Sequence, residues 1–289
     1  MHGIKQLQYT GIVFLRIGSN IPALIAQRRI SETREVQSRE TARLASGDKI
    51  LRAAYDPSGL AISETMRSRS RSLQQANRNT NDGVSMLQVA EGSLSVVHDL
   101  GKRLKELALQ AATDTYNDND RASAQKEFQA LLSEVKRVTA SSEFNGNKLL
   151  NGTDRSYDLQ VGIHGDAETS RMSYDLKNAL ATIKDLSLNS LNVYSKGSAQ
   201  NSIMKLDNFI ESVSSGRAYL GSFQNRLTSA SANLETMDLN TQASRSKIRD
   251  ADYAQSTAEK VKSEINGAAS VQMLQMTSKL PQNVLKLIG

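Results

Sequence analysis

Few side chains suited to chemistry occur in this 289-residue chain, and they are scattered. His2, His98 and His164 lie too far apart in sequence to suggest a shared metal, and His98 falls inside a long helical stretch where a surface or interface role is simpler. There is no Cys, which removes thiol nucleophiles, Cys-based zinc sites and disulfides together. Asp250 and Asp252 have the spacing of paired carboxylates for acid/base or metal work, but Arg249 beside them makes ion pairing or helix capping more economical. Asp114, Asp118 and Asp120 lack the Gly and the distal Glu of a calcium loop and read as loop and capping residues. Asn151-Gly152-Thr153 fits the minimal glycosylation sequon, a pattern common by chance. With no Gly-rich phosphate loop and no Gly-x-Ser-x-Gly elbow, the expectation is a protein without catalysis, cofactor or metal.

Charge and composition narrow the class further. The net charge is +6, and residues 15–80 hold twelve Lys or Arg against six Asp or Glu, which places the whole excess in the N-terminal quarter. Arg67, Arg69, Arg71 and Arg78 have the look of a phosphate-binding stripe, but no aromatics interleave with them to stack on bases. A solvated helix face or an ion-pair surface between subunits is the preferred reading, with no nucleic-acid partner. At 38% hydrophobic, 4% aromatic and no Trp, the chain is thin for a compact core, whereas long helices sharing narrow seams need fewer bulky residues. No stretch approaches the roughly eighteen apolar residues of a transmembrane helix, and Met1–Val13 lack the apolar run and cleavage site of a secretory signal.

The elements that must position these residues are helical at both ends of the chain. Pro22 suits a first turn, and Ile21–Leu44 reads as a helix with Ala23, Ile30, Gln37 and Leu44 on one heptad line, stopped at Ser46-Gly47-Asp48. Asp56-Pro57-Ser58-Gly59 is a turn into a helix over Gly59–Asn77, and Asn81-Asp82-Gly83 separates it from the next. That next helix carries Leu87, Leu94, Gly101, Ala108 and, offset by three, Ala90, Val97, Leu104, Ala111. Asp120 caps a further helix with Ala124, Phe128, Leu131, Val135 and Val138 inward. Between Asn145 and Asn178 the period changes to two, with turns at Asn145-Gly146 and Asn151-Gly152, a strand through Tyr157, Leu159, Val161 and Ile163, and a return over Arg171–Leu176. From about Ala199 the helical period resumes, with Leu206, Val213, Leu220, Leu227 and Leu234 seven apart. Forty such residues make a rod of about 60 Å. Asn240–Lys247 reads as an interruption, and a terminal helix over Ala254–Leu280 carries Ala258, Val261, Ile265, Ala268, Met273 and Met276 until Pro281 interrupts it. The fold class expected is mainly α, an elongated antiparallel helical bundle or coiled coil with a small β-hairpin region.

The two ends together resemble bacterial flagellin. The resemblance rests on Leu15-Arg16-Ile17 with Asn20, Leu44-Ala45-Ser46-Gly47, Ser58-Gly59-Leu60-Ala61-Ile62-Ser63-Glu64, Ile248-Arg249-Asp250-Ala251-Asp252 and Leu280-Pro281-Gln282-Asn283-Val284-Leu285, in that order at both ends. It implies a structural subunit that self-assembles into the extracellular flagellar filament for motility, with 13–56 and 241–289 as the helices of an inner layer. Residues 57–144 and 179–240 would form the surrounding bundle, and 145–178 the short β-hairpin region. Leu15, Ile17, Leu24, Leu44, Leu280, Val284, Leu285 and Leu287 are then inner-layer contacts, and Leu94, Leu104, Phe128, Leu220 and Leu227 the bundle core. Asp250 and Asp252 fall in a fixed segment between the two layers. The family carries an apolar residue at or near Gln37 and Thr41, so the seam here is expected to be looser or more ionic.

The implied partners are further copies of the chain, other flagellins, the type III export apparatus with its chaperone, the filament cap, and a vertebrate innate immune receptor. Arg103 and Glu127 match two residues of that receptor's patch, while Gly101 and Lys102 depart from it, which implies a weakened response; Arg103 otherwise serves as an axial subunit contact. No His-Glu-x-x-His string of the peptidase-bearing members is present. Residues 1–12 have no counterpart, which implies a start at Val13. Hook–filament junction proteins share the terminal patterns, although the match over Ser58–Glu64 and the Pro281-Gln282-Asn283 ending favour flagellin; a basic coiled coil binding nucleic acid is the distant alternative. Both ends are expected to be disordered in the monomer and to fold on polymerisation, because two narrow seams bury little area.

Overall fold

The computed structural model describes residues 19–150, 156–175 and 191–288, with 175 and 280–288 by backbone alone. The described residues form α1 (Ile21–Ser46), α2 (Pro57–Ala111), α3 (Asp118–Ser141), β1 (Glu143–Phe144), β2 (Asn147–Lys148), β3 (Ser156–Gln160), the single turn α4 (Ala167–Ser170), β4 (Arg171–Asp175), α5 (Lys196–Arg249) and α6 (Tyr253–Ile288). The fold is mainly α, a helical bundle with a small β region. The chain divides into two compact units, one of residues 1–65 with 244–289 and one of residues 66–243.

Local chemistry accounts for the helix ends. Asn20 caps α1 by accepting from the Ala23 amide, and Pro22 sits in the first turn where its missing N–H costs nothing. Gly47, at φ 74°, closes α1 in the left-handed conformation. Asp56 caps α2 through the Gly59 amide with Pro57 in the first position. The capping residue of α3 is Asn117 rather than Asp120: Asn117 accepts from the Asp120 amide while the Asp120 carboxylate accepts from the Asn117 amide, a reciprocal box.

Three expected breaks are absent. Helix α2 runs unbroken through Asn81-Asp82-Gly83, because Gly83 serves packing and not a turn: a Cβ there would lie 2.5 Å from Leu159 Cδ1. Helix α5 continues through Asn240–Lys247, which contain neither Gly nor Pro, and ends only at Arg249. The backbone of α6 passes through Pro281 to Ile288.

In the unit of residues 66–243, α2 and α5 pair antiparallel. Ser70 donates to Asp238, Ser231 to Asn77, and Arg217 lies 3.6 Å from Glu91, so the partners fall steadily along α5 as they climb α2. Leu87, Ala90, Leu94, Val97, Leu104 and Ala108 of α2 meet Leu206, Phe209, Val213, Leu220, Phe223 and Leu227 of α5 in one buried core. Each such Leu or Phe side chain contributes about 2 kcal/mol by leaving water. Gly101 brings the two helices close, since an added Cβ would sit 3.0 Å from the Phe209 ring. On α3 the buried line runs through Arg121, Gln125, Phe128, Leu132 and Val135, so the expected Ala124, Leu131 and Val138 lie at its margin. Arg121 belongs to that line because its guanidinium donates to the Ala111 and Thr113 carbonyls at the end of α2; Gln125 accepts from the Val193 amide.

The β region folds over this core. Asn145 (φ 48°) and Gly146 (φ 78°) form the two-residue turn of the β1–β2 hairpin, where both positions need positive φ. Strands β3 and β4 pair antiparallel with Tyr157 opposite Tyr174, their rings stacked at 5.3 Å. The Asn151-Gly152 turn, Leu176 and Asn178 lie outside the described residues.

Tyr174 is 1% exposed and donates to Met86 Sδ, and its burial pushes the phenol well above its usual range. A phenol held neutral in the fold stabilises it fully below the unfolded value near 10 and loses that contribution as pH rises further. The denaturation midpoint is therefore expected to fall above pH 10, and Tyr174→Phe to flatten that fall while leaving stability at pH 7 within about 1 kcal/mol. Identical alkaline profiles for the two chains would refute this.

Candidate assembly site

The short motifs near the two ends of the chain meet in the unit of residues 1–65 and 244–289. Arg249 is the hub: its side chain, 15% exposed, sends Nε and Nη2 to the two carboxylate oxygens of Asp48 at 3.1 and 3.2 Å and Nη1 to Glu64 at 2.5 Å. Asp48 first and Glu64 next hold the guanidinium more firmly in its charged form. The backbone repeats the tie, with the Lys49 amide donating to Arg249 O and the Ala251 amide to Gly47 O around an Asp48–Asp250 bridge.

Each neighbouring motif residue has a local reason. Gly59 is required by close packing, since a Cβ would lie 2.2 Å from Asp56 Oδ2 and 2.9 Å from Ile50 Cδ1. Ser63 is buried and returns its hydroxyl to Leu60 O. Asp252 caps α6 through the Ala254 and Gln255 amides, Asp250 accepts from Ser246, and Tyr253 donates to Leu44 O. Of the two carboxylates with acid/base spacing, Asp252 caps α6 and Asp250 takes the Ser246 hydroxyl, while Arg249 pairs with Asp48 and Glu64 instead.

Helices α1 and α6 pack antiparallel, as contacts from Asn20 to Thr277, Thr33 to Gly267 and Gln37 to Glu264 establish. The seam is small and polar. On α6 the inward positions are Ser256, Ser263, Ser270 and Thr277, each seven apart, with Lys260, Gly267 and Leu274 between them. The hydroxyls of Ser263 and Thr277 bond back to their own helix, so they need no partner across the seam. Facing them on α1 are Ala26, buried, and Ala23, Ile30, Thr33, Gln37 and Leu44, half-buried. Glu40, 2% exposed, sits in this line and is held by Arg39 and Arg43.

Leu274 apart, the apolar side chains described on α6 lie outside these inward positions. Val261, Ile265, Met273 and Met276 are exposed, Ile265 at 64%, and Ala258 and Ala268 are exposed with them. On α1, Ile21, Leu24 and Ile25 are exposed, Leu24 at 62%. Leu15 and Ile17 lie outside the described residues; Leu280, Val284, Leu285 and Leu287 lie in α6, described by backbone.

In the other unit Leu94, Leu104, Phe128, Leu220 and Leu227 are all buried in one core. Arg103 and Glu127 are half-exposed and paired at 2.8 Å, and Glu106 also binds Arg103; Glu127 and then Glu106 raise the Arg103 pKa. Arg67, Arg69, Arg71 and Arg78 are exposed on α2. Asp114 pairs with Lys196 and Asp118 with Arg121. His98 is half-buried beside Asp99, and His164 is exposed. Among the described residues no helix is long and apolar enough to cross a membrane.

Removing the Arg249 fork by Arg249→Ala is expected to cost about 2 kcal/mol locally, since charged hydrogen bonds are lost but Glu64 is half in water. Hydrogen exchange at the Lys49 and Ala251 amides reads this as roughly thirty-fold faster opening. Arg249→Lys, which cannot span both carboxylates, recovers only part; unchanged exchange in Arg249→Ala would rule out the hub role.

Residues 17–155 match the family model of the bacterial flagellin N-terminal helical region, and residues 203–288 that of the C-terminal helical region. The flagellin of Halalkalibacterium halodurans is 37% identical over 272 residues, spanning 94% of this chain and 99% of its own. That of Bacillus subtilis is 35% identical, spanning 95% and 100%. A solved structure of a putative flagellar hook-associated protein from Vibrio parahaemolyticus covers 68% of this chain and all of its own with a TM-score of 0.56; at 14% identity the likeness concerns the fold alone. The chain belongs to the bacterial flagellin family, as a short-form member and a structural subunit of the flagellar filament.

Proposed function

We propose that this subunit polymerises through the outward faces of α1 and α6, acting by assembly and without catalysis. The observation that carries the reading is the apolar set Leu24, Ile25, Val261, Ile265 and Met276, exposed on a helix pair whose own seam is small and polar. Such faces gain burial only against neighbouring copies, and contacts between two different patches extend as a helical polymer. Leu15, Ile17, Leu24, Leu44, Leu280, Val284, Leu285 and Leu287 are inner-layer residues in this reading, and Leu94, Leu104, Phe128, Leu220 and Leu227 hold the surrounding bundle.

The chain leaves the cell through the flagellar type III route without a cleaved leader, escorted by an export chaperone and placed under the filament cap. Arg103 and Glu127 serve an axial contact between subunits. The same pair matches the host immune receptor's patch, and recognition is weakened at Gly101, which is buried under Phe209 and presents no side chain to a receptor.

Depolymerised chain added to filament seeds is expected to regrow long filaments by negative-stain microscopy. Ile265→Asp, which places a charge on the exposed face, should stop growth while leaving the unfolding midpoint of the 66–243 unit unchanged. Normal growth of that variant would defeat the reading, and short rings from the parent chain would favour a junction protein instead.

A further inference from the structure

Helix α6 continues through Pro281, and a proline inside a helix leaves one carbonyl without its donor. The orphan is four residues back, at Thr277. In this structure Asn20 Nδ2 donates to Thr277 O at 2.8 Å, from a residue 257 positions away in sequence. The other half of the same carboxamide is also engaged, with Oδ1 accepting from the Ala23 amide at 3.1 Å as the cap of α1. The two bonds fix the amide orientation without ambiguity, since an amide N–H needs the oxygen and a carbonyl needs the NH2.

We infer that Asn20 is a positioning residue that supplies the donor Pro281 lacks, so that one carboxamide starts α1 and carries α6 across its proline. Ser or Asp at position 20 caps a helix about as well as Asn. Only a carboxamide of this length both accepts from Ala23 and donates to Thr277. The pairing joins the beginning of α1 to the last turns of α6, and the Thr277 side chain, 9% exposed, lies in the same seam. Pro281 and Asn20 therefore act as a matched pair: the proline creates the acceptor that only the Asn satisfies. The contact pins the register of the terminal helices along a seam of Gly and Ser.

The inference rests on self-assembly through this helix pair, and a double-mutant cycle on full-length chain tests it separately. The readout is the critical concentration for seeded filament growth. Asn20→Ser keeps the cap but its hydroxyl, one bond shorter than the carboxamide nitrogen, stops short of Thr277 O, and it should raise that concentration roughly five-fold, the fold-change expected from one lost hydrogen bond. Pro281→Ala restores a backbone N–H to Thr277 O, and in that background Asn20→Ser should raise it less than about two-fold. Equal rises in both backgrounds, or no rise with Pro281 present, overturn the role of Asn20. If Asn20→Ser abolishes growth, restored growth in the double variant supports the pairing, and no restoration while Pro281→Ala grows overturns it. Independently of growth comparisons, the Asn20 side-chain amide protons should exchange slowly in parent filaments, and rapid exchange also overturns it. Parent chain that fails to extend seeds would instead remove the self-assembly reading.

Discussion

The terminal helices are governed by what α6 presents to α1: a hydroxyl or a glycine at five of seven inward positions, with Lys260 and Leu274 the others. Ser256, Ser263, Ser270 and Thr277, with Gly267 facing Thr33, let two backbones approach closely but bury little apolar surface. At about 25 cal/mol per Å² that burial does little against an ordering cost of about 1–2 kcal/mol per residue. The large apolar side chains are displaced to the opposite face. The pair is held at one end by the Arg249 fork to Asp48 and Glu64, and farther along by Asn20 on Thr277. Polar ties of this kind set register and geometry while burying little apolar surface.

The unit of residues 66–243 is built on the opposite economy. Its α2 and α5 heptads are apolar on every turn from Leu87 to Ala108 and from Leu206 to Leu227, and Tyr174 stacks on Tyr157 and lies tilted against Phe223 at one end of those runs. Glycine there serves close packing, Gly83 beneath Leu159 and Gly101 beneath Phe209. A core of this kind is satisfied within one chain. The subunit thus combines a bundle with its own buried core and a helix pair with little core of its own, in keeping with a subunit of a filament.

Much of this was legible in the amino-acid order. Seven-residue spacing identified the α2 and α5 cores, and Asn145-Gly146 identified a hairpin whose turn needs two positive φ values. Gly47 and Asp56 marked helix ends by chemistry that is local. What failed was mostly non-local. Asn81-Asp82-Gly83 resembles a turn until Leu159 is seen to occupy the space a Cβ would take. Pro281 resembles a stop until Asn20, at the far end of the chain, provides the missing donor. The α6 stripe was incomplete for a different reason: hydrophobic period tells which residues share a face, and not whether that face meets its own chain or another. Arg121 and Glu40 were missed because a buried charge leaves no periodic signal, although the run of carbonyls ending α2 and the arginines flanking Glu40 were both in view.

The central claim is that α1 and α6 owe their order to neighbouring subunits while the bundle does not. Amide hydrogen exchange on soluble chain and on assembled filament, resolved by segment, measures this directly. The account predicts rapid exchange over 21–46 and 253–288 in the soluble chain and strong protection in the filament, with Leu94, Phe128 and Leu220 segments protected in both. Equal protection of the terminal helices in the two states would contradict it.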